Sequence, residues 1–163
     1  MPVELATLED LDRVVELWVA LAAEQRAHGS HLTAESNRAL MREALAGHVV
    51  DHTCLVARSG DRDPPPVVGF VSYDVERDGL DRDVDRGVVQ NLYVVPEARD
   101  RGHGTELLRA AESALAAAGV DRIALEAMAA NEAARRFYEE RGYEPHRLTY
   151  ERRLDGKDTK EGG

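Results

Sequence analysis

The chain has 163 residues, with 31 acidic against 21 basic side chains and a formal net charge of −10. This is one domain's worth of sequence, long enough to bury a core. The acid surplus disfavours general binding along a phosphate backbone, so no nucleic-acid partner is expected, and a hydrophobic content of 43% is too high for a disordered chain.

No apolar run approaches the roughly 18 residues of a membrane span, so no membrane partner is expected. The first twelve residues carry no basic apolar leader. The single cysteine, Cys54, excludes an intrachain disulfide framework and a Cys-rich zinc site. The expected setting is the cytoplasm. The only lysines are Lys157 and Lys160, a usage that fits a salt-adapted or GC-rich source.

In chain order, residues 3–6 alternate and read as an edge strand. Thr7 reads as a helix N-cap, with Asp10 three positions on as its reciprocal partner. Leu11, Val14, Val15, Trp18, Val19 and Ala22 recur at helical spacing and predict an amphipathic helix over residues 8–27, ending before Gly29. Thr33 is the expected cap of a second helix, with Leu40, Met41, Leu45 and Val49 on its apolar face and Gly47 near its end. Residues 54–56 form a short apolar strand, residues 59–66 a proline-rich turn, and residues 67–75 the next strand.

Residues 76–87 are acidic, contain Gly79 and Gly87, and read as a hairpin loop. Residues 88–95 form a strand closed by Pro96. A helix follows over 105–118, with Leu107, Leu108, Ala111 and Leu115 as its buried stripe and Gly119 as its stop. Residues 122–128 predict a strand, Asn131 caps a helix running to Arg141, and residues 143–154 read as extended. Residues 1–154 thus make a single expected domain, with a frayed polar tail over 155–163. Strands joined by short turns pair antiparallel, and strands joined by helices pair parallel. The expected fold is α/β, a mixed and mostly antiparallel central sheet with helices on both faces.

The segment that carries chemistry runs from Leu92-Tyr93-Val94 through Pro96 to Arg99, Arg101, Gly102, His103, Gly104 and Thr105. A strand ends, a loop with two arginines and two glycines follows, and a helix begins. The first turn of a helix leaves backbone N–H groups without intrahelical partners, and the helix dipole favours negative charge there. Glycines admit a ligand close to the backbone. The pattern reads as a site for an anion such as a diphosphate. It is not a Walker A loop, because no lysine follows the last glycine, and it lacks the third glycine of a dinucleotide fingerprint.

The pattern Arg99-x-x-Gly102-x-Gly104 after Leu-Tyr-Val-x-Pro resembles the acyl-CoA motif of the GNAT superfamily of N-acetyltransferases. Downstream, Asn131-x-x-Ala134 and then Phe137-Tyr138-Glu139-x-Arg141-Gly142-Tyr143 resembles the second signature of that family. The clear resemblance covers residues 88–143, and the N-terminal half agrees in element order only. The resemblance implies acetyl-CoA as acyl donor, its diphosphate on residues 99–104. Its pantetheine arm would lie between two splayed parallel strands, paired to the backbone near Leu92, Tyr93 and Val94. It implies that Asn131 contacts the arm, although a plain N-cap explains that residue as well.

By the same resemblance Tyr138 is the general acid. A phenol, with an unperturbed pKa near 10, donates a proton or hydrogen bond as thiolate charge develops. The bland reading is a core aromatic beside Phe137. The attacking amine also needs a base or a water relay. Family members often carry an acid on the strand before the diphosphate loop, where this chain has Gln90-Asn91. Glu126 is the better choice. It faces away from Ile123 and Leu125 in a strand expected to be covered on both sides, and it resembles the glutamate base of the family's protein N-terminal acetyltransferases. It also has a purely structural reading, an ion pair with an arginine such as Arg135.

His48 with His52, and His28 with His31, have helical spacings but no third ligand, so no metal is expected. Cys54 reads as inert core. The acidic stretch 74–85 reads as a solvated turn that would at most attract a cationic amine. The reading is acetyl transfer from acetyl-CoA to a primary amine, a small molecule or a peptide N-terminus, by direct attack in a ternary complex. Homodimers are common in such enzymes. The alternatives are a CoA-binding regulatory or interaction module without turnover, and a protein using the glycine loop for a different diphosphate.

Overall fold

A computed structural model describes residues 3–76, 81 and 83–155. The chain divides into two compact units, residues 1–131 and 132–163.

The first unit holds a five-stranded sheet in the order β1-β2-β3-β4-β5. These are β1 (Val3–Leu5), β2 (Cys54–Arg58), β3 (Val67–Val75), β4 (Arg86–Val94) and β5 (Arg122–Ala124). The pairings from β1 to β4 are antiparallel, and β4–β5 is parallel. Three helices cover the sheet: α1 (Leu11–Ala27), α2 (Arg38–Val50) and α3 (His103–Ala117). This is the expected mixed α/β sheet.

The period-2 pattern of the strands sorts the core into two layers. Cys54, Val56, Phe70 and Tyr93 join Val14, Val15, Leu17 and Trp18 of α1 and Leu45 and Val49 of α2 in one buried cluster. On the opposite face, glycines in β3 and β4 let α3 approach. A Cβ on Gly69 would sit 3.2 Å from Leu107 Cδ1 and 2.8 Å from the Tyr93 carbonyl oxygen, and one on Gly87 would sit 2.7 Å from Leu115 Cδ2.

Two of the predicted helix starts form in altered detail. Thr7 and Asp10 do pair, the Asp10 carboxylate accepting from the Thr7 N–H at 2.9 Å. They cap a 3-10 turn, Leu8–Asp10, that feeds α1. Thr33 does not cap α2 directly: a 3-10 turn, Glu35–Asn37, intervenes and Asn37 precedes the helix. Leu40, expected on the apolar face, is 65% exposed, because α2 buries only the narrow stripe of Leu45 and Val49.

Two corrections concern strands. β5 stops at Ala124, so residues 125–128 are not strand. Residues 143–155 contain no strand either; Leu148, Tyr150 and Leu154 lie there and are all exposed. A segment with so little buried apolar surface has nothing to fix a pleat to. Residues 77–80 and 82 of the hairpin loop expected over 76–87 lie outside the described residues, as does the tail beyond Asp155. At the foot of that loop Arg86 clamps Glu76 through two hydrogen bonds, of 3.0 and 2.6 Å.

The second unit contains α4 (Glu132–Glu139), followed by a turn in which Gly142 has a φ of 91°.

Candidate active site

The parallel ladder between β4 and β5 is short. It pairs Arg86 with Arg122, Gly87 with Ile123 and Val88 with Ala124, and then ends. β4 continues to Val94, bonded to β3 on its other side. Past Val88 the β5 edge of β4 therefore lies outside any ladder. Leu92, Tyr93 and Val94 all lie on this extension, Tyr93 buried and the other two half-buried. An extended amide chain is the natural complement of such an edge, since strand addition satisfies the backbone without demanding particular side chains.

The β3–β4 register changes where the splay begins. Ser72 pairs with Asn91 and Tyr73 with Val89, so Gln90 is one extra residue in β4. The bulge rotates the strand. Asn91 then donates from Nδ2 to the buried Ser72 hydroxyl at 2.9 Å, on the α1 side of the sheet.

β4 runs into a 3-10 turn, Pro96–Ala98, and then into the loop that starts α3. Two left-handed residues shape it: Asp100 with φ 63° and Gly102 with φ 89°. Gly102 is the N-cap of α3, and a Cβ there would have nothing within 4 Å. The helix's own ladder starts with Glu106 N–H donating to the Gly102 carbonyl at 3.0 Å. The amides of His103, Gly104 and Thr105 thus come ahead of it, at the positive end of the helix dipole.

The loop's polar side chains divide their work. Arg99 is committed within the protein. Its Nε donates to the Val94 carbonyl at 2.8 Å, its Nη2 to Glu24 of α1 at 2.7 Å, and its guanidinium lies 5.4 Å from the centre of the Tyr93 ring. Burial, with a hydrogen bond to Glu24, pushes the Tyr93 phenol up to about 12. Glu24 therefore ties the end of β4 and the start of the loop to α1. Nothing in its sequence position signals this role, because the three groups meet only in the folded chain. Arg101 is exposed as Arg99 is, but forms no ion pair among the described residues.

His103 is 3% exposed, and its Nδ1 is buried without a hydrogen-bond partner among the described residues. Burial, reinforced by the Arg101 charge, lowers its pKa. The left-handed Gly102 cap, with nothing within 4 Å of where a Cβ would sit, leaves open space at the start of α3.

Asn131 is half-buried and immediately precedes α4, as a cap requires. Glu126 lies two residues past the end of β5 and is exposed. The expectation of a carboxylate in a strand covered on both faces is thus corrected, and with it the burial argument for a base. On α4, Tyr138 is half-buried, and burial raises its pKa. Its ring meets those of Phe137 and Tyr143 edge to face, with centroids 5.4 and 6.0 Å away. Arg141 stacks 3.7 Å over Phe137 and donates to the Phe137 carbonyl at 2.8 Å. A neutral phenol is the form that a proton donor requires.

Cys54 is fully buried, and burial, with a contribution from the Asp10 charge, pushes its thiol up to about 12, so it remains an unreactive thiol. Among the described residues no cluster of three metal-ligating side chains forms, and no helix is long and apolar enough to cross a membrane.

Comparison with solved structures gives the same architecture at low sequence identity. A GCN5-related N-acetyltransferase from Ralstonia eutropha superposes with a TM-score of 0.70 at 22% identity, covering 93% of this chain and 97% of that one. The PaiA N-acetyltransferase from Thermoplasma acidophilum, solved in complex with coenzyme A, gives 0.73 at 20% identity, over 91% and 92%. A protein described as a transcriptional regulator from Bacillus halodurans gives 0.68 at 19% identity, over 94% and 99%. No curated protein matches the sequence. The family model described as Acetyltransferase (GNAT) family matches residues 11–143, most of the chain and both of its signature segments. The chain belongs to the GNAT acetyltransferase family.

Proposed function

We propose that this protein transfers an acetyl group from acetyl-CoA to a primary amine, by direct attack of the amine on the thioester in a ternary complex. The observation that carries the reading is the continuity of one edge. The part of β4 outside the β5 ladder, residues 89–94, leads directly into the Gly102-capped start of α3. A pantetheine arm pairs with the first and a diphosphate with the second. Backbone groups of Leu92, Tyr93 and Val94 hold the arm. The amides of Gly102, His103, Gly104 and Thr105, with the Arg101 side chain, hold the phosphates. Arg99 shapes the loop from within, and Asn131 contacts the arm. Coenzyme A bound to the Thermoplasma relative supports the same ligand here.

In the reaction the amine nitrogen bonds to the carbonyl carbon, and a strand N–H stabilises the oxyanion. The C–S bond breaks, and Tyr138 protonates the leaving sulfur. Glu126 is the carboxylate nominated by the family resemblance to receive the amine's proton. A soluble cytoplasmic enzyme is the setting this chemistry fits. The second reading, a CoA-binding regulatory module, is favoured by Gln90-Asn91, where family members often carry an acid, and by the exposure of Glu126.

Titration calorimetry with acetyl-CoA, CoA and NAD tests the ligand, and thiol release against a panel of amines tests turnover. Binding of acetyl-CoA and CoA but not NAD, with amine-dependent thiol release slowed at least about 100-fold in Tyr138→Phe, is the expected result. Binding without thiol release selects the regulatory reading. Preference for NAD refutes both.

A further inference from the structure

A second constellation lies on β4 just past its bulge, and its interpretation rests on the acetyl-transfer reading. Asn91 pairs with Ser72 of β3, and both side chains stand on the α1 side of the sheet, as those of Tyr93 and Phe70 do two positions along. Asn91 Nδ2 donates to the Ser72 hydroxyl at 2.9 Å, and Ser72 is fully buried. That bond orients the amide and leaves Oδ1 with no hydrogen bond among the described residues. Oδ1 is not sealed in the core either: the one buried side-chain polar atom without a partner among the described residues is His103 Nδ1. Asn91 itself is half-buried. It therefore presents an oriented, accessible oxygen that accepts a hydrogen bond and carries no charge. The amide beside it is already engaged, since the Gln90 side-chain oxygen lies 2.9 Å from His48 Nε2.

The position gives that oxygen a role. In the proposed placement the diphosphate lies at residues 99–104, the arm runs back along Val94 to Leu92, and the thioester comes next along β4, at Asn91. We propose that Asn91 Oδ1 accepts a hydrogen bond from the acceptor amine and selects a primary amine over a secondary one. Ser72 is a positioning residue that acts through Asn91. A neutral primary amine carries two N–H groups. One bonds to Oδ1 and stays on the nitrogen in the amide product. The lone pair, turned toward the thioester carbonyl, forms the C–N bond as the C–S bond breaks. The other proton leaves the nitrogen and balances the departing thiolate as thiol. A secondary amine has a single N–H, and that proton must leave, so the bond to Oδ1 cannot persist into product. An uncharged acceptor also suits the step, because a carboxylate would bind the ammonium form more strongly and withhold the lone pair.

The test uses the full chain and the amine that gives the fastest thiol release among spermidine, lysine and a short peptide with a free N-terminus. That amine is compared with the same compound methylated at the nitrogen that becomes acetylated. Wild type should favour the primary amine at least about tenfold in kcat/KM. Asn91→Ala should lower kcat/KM for the primary amine about tenfold and cut the preference below about threefold, with the acetyl-CoA Kd within about twofold of wild type. Asn91→Val, which suits a strand, repeats the deletion should the alanine variant not fold. Asn91→Asp keeps an acceptor oxygen, with the Ser72 hydroxyl turned to donate to it, and should keep the preference. Ser72→Ala should cost less than Asn91→Ala and add nothing to it in the double variant, as expected of a residue that acts only through Asn91. A wild-type preference below about threefold, or one that survives the loss of the Asn91 side chain, overturns the proposal and leaves acetyl transfer standing. If the wild-type protein binds no acetyl-CoA, or releases no thiol with any of the three amines, the acetyl-transfer reading fails first and the Asn91 assignment with it.

Discussion

Gly102→Ala separates the ligand role of the loop from its folding role. Gly102 sits at φ 89°, where an L side chain costs about 1–2 kcal/mol. A Cβ there would meet nothing within 4 Å, so no clash adds to this. The stiffer unfolded chain returns about 0.4–1 kcal/mol. The net loss is about 1 kcal/mol, or a fall in Tm of about 2–4 °C for a chain of this size. Gly119 provides the matched control. It lies just past the other end of α3 with φ 92°, and a Cβ there also meets nothing within 4 Å. Gly119→Ala should lose the same stability.

The two variants should part in ligand binding. In the proposed placement the diphosphate meets the first amides of α3 in the open space at Gly102, and a methyl group there would hold the phosphates off. We expect the acetyl-CoA Kd to rise at least about tenfold in Gly102→Ala, about 1.4 kcal/mol, and to stay within twofold of wild type in Gly119→Ala. Calorimetric titration and thermal melts of the two proteins provide both readouts. Equal Kd values at equal Tm losses would show that the space beside Gly102 receives no ligand, and the placement of the acyl donor would be wrong.

Arg101→Ala should weaken acetyl-CoA about tenfold in low salt and leave Tm unchanged. Arg99→Ala and Glu24→Gln should lower stability by at most about 1 kcal/mol, because both partners of that ion pair are partly exposed, and should also weaken binding by loosening the loop. Gly69→Ala should cost about 2–3 kcal/mol in denaturant melts, since its Cβ meets a backbone oxygen at 2.8 Å; Gly87→Ala should cost less, because the Leu115 side chain can turn away. Stability should show two acid-sensitive windows. Burial lowers the pKa of His103, so the unfolded chain binds its proton first and stability falls as pH drops below about 6.5. At Asp10 burial is outweighed by hydrogen bonds from Thr7 and Arg58, so its pKa is lowered and its contribution is lost as pH drops below about 3.8. Removing either window by His103→Asn or Asp10→Asn, and finding the melt profile unchanged, would refute the assignment.

The local features of this protein were legible in the sequence because each depends on a few neighbouring residues. Apolar spacing identified α1 and α3, the Thr7–Asp10 pair marked a helix start, and the Arg99 to Gly104 pattern marked a glycine loop ahead of a helix. Coarse topology followed from connection lengths. Tertiary packing decided the rest. The length of the β4–β5 ladder depends on partners more than thirty residues apart in sequence, and so does the exposure of Glu126 beyond it. Arg99 reads as a phosphate ligand in the sequence, and only the fold shows that its guanidinium also pairs with Glu24, 75 positions away. His48 and Gln90, 42 positions apart, meet only because one extra residue in β4 turns the glutamine toward α2. Spacing along the chain encodes contacts made within a turn or along one strand, whereas contacts between elements depend on register and on how closely the layers approach, and no local pattern records these.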